Sequence, residues 1–144
     1  MNKVIRSVSM IVMLSIACCA DVENYVEPNI PASEMATILI KQKKSNFLIL
    51  KFQAMWIIGM DGKTCKEKML HVASGEHKVG ISFVESKGAG FGGGTVNVVL
   101  PLNAVSGKYY AITEKTKGQD AFFEINEITL EEASPLLKKY EVKE

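Results

Sequence analysis

Apolar and polar positions alternate in short runs across residues 35–128, with turn-forming residues between the runs. That rhythm is the signature of strands, not of helices. Residues 36–41 put Ile38 and Ile40 on one face and Thr37, Leu39 and Lys41 on the other. Residues 43–46 read as a turn. Residues 47–52 are apolar on both faces and predict a central strand, continued by residues 54–59 with Trp56, Ile57 and Ile58. Asp61-Gly62 is a hairpin signal, because both residue types accept the left-handed backbone of a two-residue turn. Residues 64–72 carry Lys66, Glu67 and Lys68 and predict an edge strand, where charge discourages stray pairing. Residues 78–85 alternate cleanly, with Val79, Ile81 and Phe83 inward and Lys78, Gly80 and Ser82 outward. A glycine-rich stretch, 86–94, leads to residues 95–100, where Val96, Val98 and Leu100 share a face. Two further strands are expected at 108–114, with Tyr109 and Tyr110 on opposite faces, and at 121–128. Thr129 and Glu132 have capping-box spacing, Pro135 is expected to limit the helix, and residues 138–144 are expected to fray. Seven or eight mostly antiparallel strands predict an all-β fold, a single β-sandwich over 35–128, with a short C-terminal helical turn and tail over 129–144.

The N-terminus has a different pattern. Lys3 and Arg6 precede an apolar run, 8–16, broken only by Ser9 and Ser15. The run is shorter than the about 20 residues needed to span a bilayer, and its layout is that of a secretory signal. A buried core helix would leave Lys3 and Arg6 without a role. The run closes on Leu14-Ser15-Ile16-Ala17-Cys18, which resembles the lipobox of bacterial lipoproteins. Ala17 fits the small position before the cysteine. Cys19 is the poorer anchor, because Cys18 would then fill that small position. The resemblance implies residues 1–17 as a signal peptide, a diacylglyceryl thioether on Cys18 and membrane lipid as the partner. It also implies an outer-membrane destination facing the periplasm, since Cys19 stands where enterobacterial relatives held at the inner membrane have Asp. Ordinary cleavage after Ala17 or Ala20, releasing a soluble protein, is the alternative. Residues 18–34 then form a tether containing Pro28 and Pro31. Residues 19–31 reach at most about 40–45 Å when extended, with Tyr25 and Val26 expected to dock on the domain.

Composition narrows the function classes. Cleavage before Cys18 leaves 144 minus 17, or 127, residues, enough for one domain with a core. It also removes Lys3 and Arg6, so 15 basic residues face 16 acidic ones, a net charge of −1. No basic field is available to gather nucleic acid, and the cluster at 41–44 reads as a solvated turn. The three cysteines, Cys18, Cys19 and Cys65, form neither a disulfide framework nor zinc-ligand spacing. No cofactor is implied.

The middle of the chain carries a second resemblance. Residues 57–63 run an apolar strand into Asp61-Gly62, residues 72–79 hold the turn Ser74-Gly75-Glu76-His77, and residues 107–110 read Gly-Lys-Tyr-Tyr. Together these resemble the PEGA-like or transthyretin-like β-sandwich domains of small bacterial lipoproteins, with Ser74 where that turn usually has Pro. The motifs are turn chemistry, so they imply a fold and bring no catalytic residue.

Three groups of residues remain as candidate sites. Gly88, Gly90, Phe91, Gly92 and Gly93 spell GxGxxG, but a dinucleotide fingerprint requires a helix to open immediately afterwards. A strand follows instead, so the stretch reads as an inter-strand loop, with a mobile binding loop tipped by Phe91 as the functional alternative. Cys65 with His71 or His77, and Asp61 nearby, supplies the residue types of a thiol nucleophile and its base. That small hydrolase is the catalytic alternative. The spacing of His71 and His77 matches no compact metal motif. Trp56, Phe47, Phe52, Phe83, Phe122 and Phe123 read as core. The expected function is a membrane-anchored, non-catalytic binding or assembly module with an envelope protein or glycan as partner; a purely structural lipoprotein is the remaining alternative.

Overall fold

The computed structural model describes residues 22–42, 51–87, 93–117 and 120–141. Among them are eight strands: β1 (Met35–Ile40), β2 (Lys51–Met60), β3 (Lys63–Glu67), β4 (Met69–Ala73), β5 (Gly75–Lys87), β6 (Gly93–Ala104), β7 (Tyr109–Lys117) and β8 (Asp120–Ile128). A helix, α1 (Leu130–Glu141), follows. The strands form two four-stranded sheets, ordered β4-β1-β7-β8 and β3-β2-β5-β6. Among the pairings of these eight strands, β1–β7 is parallel and the others are antiparallel. The all-β sandwich expected from the alternation is therefore the fold.

The core lies between the sheets. Ile38 and Ile40 from β1, Met55, Ile57 and Met60 from β2, Val79 and Ile81 from β5 and Ile112 from β7 are all essentially inaccessible. Phe83 meets Phe123 across the gap, with ring centroids 5.4 Å apart and tilted by 59°. The predicted inward set of β5 thus holds. Phe52 is 58 % exposed and Phe122 is 50 % exposed, so neither belongs to the core the sequence assigned them. Trp56 is only partly buried and stands opposite Ser82, on the outer face of its sheet. Phe47 lies outside the described residues.

The Asp61-Gly62 turn forms as expected, with φ of 51° and 82°, the paired left-handed geometry of a tight hairpin. The predicted edge strand over 64–72 is in fact two strands. The chain leaves one sheet at Glu67 and enters the other at Met69, so β3 and β4 are edges of different sheets. Charge marks the crossing: Lys68 occupies the bend, and its ammonium donates to the Met55 carbonyl.

The helix is longer than the turn expected from sequence. The capping box is present: Glu132 N–H donates to Thr129 Oγ1 at 3.3 Å, and Thr129 N–H donates to Glu132 Oε2 at 3.1 Å. Pro135, however, sits inside α1 instead of ending it. Packing outweighs the lost hydrogen bond. Ala133 is fully buried, and the Tyr140 hydroxyl donates to the Ile40 carbonyl at 2.6 Å. The helix lies against β1 and β7, which explains why Leu39 and Ala111, paired on the face away from the core, are also buried.

Candidate functional site

The candidate catalytic residues gather near one corner of the sandwich, where the Asp61 turn, β3, β4 and the start of β5 meet. His77 Nδ1 lies 2.7 Å from Asp61 Oδ2, and His77 Nε2 lies 2.8 Å from the Ala73 carbonyl. Both partners are acceptors, so each ring nitrogen faces a hydrogen-bonding group of the fold. The other Asp61 oxygen accepts the Lys78 N–H at 2.7 Å. Burial pushes the Asp61 carboxyl up. The hydrogen bonds from His77 and Lys78, with the charges of both, outweigh it and hold the group below the ordinary carboxylate range. The arrangement is a clasp between the β2–β3 turn and β5. An open groove of about 550 Å³ runs beside it, bordered by Glu76, Lys78, Pro101 and Asn103.

Cys65 is half-buried against the core, and its thiol donates to the Ile57 carbonyl at 3.6 Å. Burial, then the charge of Glu67, pushes the thiol up, away from the thiolate that nucleophilic chemistry needs. His71 is engaged elsewhere, with Nδ1 lying 3.1 Å from Thr37 Oγ1. Among the described residues no hydrogen bond joins Cys65 to either histidine, and no three His, Cys, Asp or Glu side chains converge as metal ligands.

The segment before the sandwich is bound to this same corner, which the sequence foreshadowed only at Tyr25. Asn24 pairs in parallel with Thr64; Tyr25 N–H donates to the Thr64 carbonyl at 2.8 Å, and Thr64 N–H to the Glu23 carbonyl at 2.9 Å. The Tyr25 hydroxyl donates to the His71 carbonyl at 2.8 Å, and Glu27 Oε1 accepts the His71 N–H at 3.0 Å. Residues 23–27 thus form a strap that satisfies outward backbone groups on both β3 and β4. Burial, then the negative charge of Glu27 and Asp61, pushes the Tyr25 phenol up to about 12, so it stays a donor at any ordinary pH. Val26 is 80 % exposed and does not dock.

On the outer face of β2, the Lys66 and Lys68 ammonium groups lie 5.4 Å and 4.2 Å from the centre of the Trp56 ring. The ring is thus engaged in cation–π contacts and borders an open pocket with Glu67, Met69 and Tyr140. In the candidate loop, Gly88, Gly90, Phe91 and Gly92 lie outside the described residues. Gly93 belongs to β6 and pairs with Ser86; a Cβ there would stand 2.5 Å from the Glu85 carbonyl. It is a ladder position and not part of the loop. Cys18 also lies outside the described residues.

Comparison with protein-family models, curated proteins and solved structures finds no match. The fold and the site define the class on their own terms: a two-sheet β-sandwich with a strapped N-terminal segment, in which Asp61, Cys65, His71 and His77 make structural contacts.

Proposed function

We propose that this chain is a lipid-anchored β-sandwich of a bacterial envelope. It is held by acylated Cys18 at the outer membrane, facing the periplasm, and acts as a non-catalytic binding or assembly module for an envelope protein or glycan. The observation that carries the reading is the N-terminal pattern: Lys3 and Arg6, an apolar run, then Leu14-Ser15-Ile16-Ala17-Cys18. One acyl chain holds a protein only marginally, whereas two or three make attachment durable. The engagement of Cys65, His71 and His77 in structural contacts supports the non-catalytic part. The strap changes the expected reach. Glu23 is already bonded to β3, so only residues 18–22 separate the anchor from the domain, a span of at most about 18 Å in place of the 40 Å or more of a free tether. The module is then held close to the headgroups. Mass analysis of the native protein is expected to show acyl mass on Cys18. Cys18→Ala is expected to move the protein out of the membrane fraction; retention there would refute the anchor. Affinity capture of the anchored form, with mass spectrometry of what accompanies it, tests the module.

A further inference from the structure

We infer that the free edge of β6 is a self-association surface that pairs antiparallel with β6 of a second copy of this chain. The other three sheet edges are managed. The strap pairs with β3 and satisfies outward groups of β4, and β8 carries Glu124 and Glu127, ion-paired with Lys115 and Lys108 at 2.6 Å and 2.7 Å. Strand β6 carries such protection only toward its end, at Pro101 and Asn103. Its twelve residues, Gly93–Ala104, include no charged side chain, it ends its sheet, and the Tyr110 hydroxyl caps its far end, donating to the Asn103 carbonyl at 3.3 Å. Long, uncharged edges of this kind template further pairing.

The register fixes which groups face outward. Lys78 exchanges hydrogen bonds with Asp61, so its backbone points toward β2. Alternation then directs residues 77, 79, 81, 83 and 85 toward β6, where they meet Leu102, Leu100, Val98, Val96 and Gly94. Thr95, Asn97 and Val99 are left with outward backbone groups, as is the Pro101 carbonyl, while the Asn103 carbonyl is taken by the Tyr110 hydroxyl; all five residues are exposed. Pro101 has no N–H to donate. A two-fold pairing centred on Asn97 keeps it at the end of the ladder, opposite Gly93. Thr95 then faces the copy's Val99, a favourable β-branched pair, and the two Asn97 amides face each other. About six backbone hydrogen bonds form between residues 95 and 99 of the two copies. No like charges meet, which is why the edge suits its own copy. A strand pair of this length buries less than the roughly 1,000 Å² of a durable interface, so the dimer dissociates on dilution.

The test uses the full chain purified in detergent, with association read by light scattering and by co-purification of two differently tagged copies. Wild type is expected to be dimeric at high micromolar concentration. Asn97→Lys and Asn97→Glu place like charges against each other and are each expected to be monomeric, with a thermal transition within a few degrees of wild type. Mixed together, the two variants are expected to pair with each other. Val99→Pro, which removes an outward N–H the fold does not use, is the second variant and is expected to weaken association at least tenfold. A wild type that is monomeric at every concentration overturns the inference. So does dimerisation that survives both Asn97 variants. Failure of the Lys and Glu variants to complement one another overturns it too, and would direct the edge to a strand of another protein.

Discussion

Asp61 ties its backbone, its charge and a neighbour's ring to one corner. Its φ of 51° suits Asp or Asn, so Asp61→Asn removes the charge with the turn intact. The folded-state pKa is depressed below the unfolded value of about 3.9. The carboxylate therefore contributes stability that is complete above that unfolded value and is lost as pH falls through the folded one. Asp61→Asn is expected to lower Tm by a few degrees at pH 7, with the gap from wild type closing as the pH falls below about 4; a constant gap would show that the charge is not the cause. In the core, Val79→Asp would bury a carboxylate without a partner at a fully inaccessible position. A loss of several kcal/mol is expected, seen as an unfolded circular dichroism spectrum. The period-two pattern made Val79, Ile81 and Phe83 legible. It could not distinguish Phe52 and Phe122 from core, because an exposed aromatic at a strand position looks the same in sequence as a buried one. The His77 clasp was legible only as a list of residue types. Its acceptors, Asp61 and the Ala73 carbonyl, became partners through the turn and the fold.

Element ends were legible where local chemistry sets them and obscure where packing does. The Asp61-Gly62 turn and the Thr129–Glu132 capping box are made by neighbours in sequence, and both were predicted. Pro135 was expected to stop the helix, but the buried contacts of Ala133 and Tyr140 carry α1 past it. Those contacts depend on β1, about a hundred residues earlier, and leave no local signal. A proline inside a helix costs up to about 3 kcal/mol relative to Ala. Pro135→Ala is therefore expected to stabilise the protein by about 1–3 kcal/mol, measured by denaturant unfolding. No gain would mean that the missing N–H was never needed at that turn. The crossing at Lys68 was hidden for a similar reason: two edge strands from different sheets share one polar pattern.

At the scale of the molecule, strand rhythm was enough to give the sandwich. Sheet order was not, because the parallel β1–β7 pairing joins distant segments whose alternation is indifferent to partner. The strap was half-legible: Tyr25 was expected to dock, yet nothing in the sequence showed its neighbours satisfying backbone groups on β3 and β4. Tyr25→Ala removes the hydroxyl bond to His71 and the ring packed against the core. It is expected to cost about 1–3 kcal/mol and to speed hydrogen exchange at the Tyr25 and Thr64 amides, while the amides of β5 stay protected.

The strap also governs what happens when the N-terminal end is pulled. Tension arriving along the chain from the N-terminal side reaches the Glu23–Thr64 and Tyr25–Thr64 bonds before it reaches either sheet. Those few bonds yield first and release residues 23–34, whose full contour is about 40 Å, while the sandwich stays folded. A short leash at rest thus becomes a long one under load.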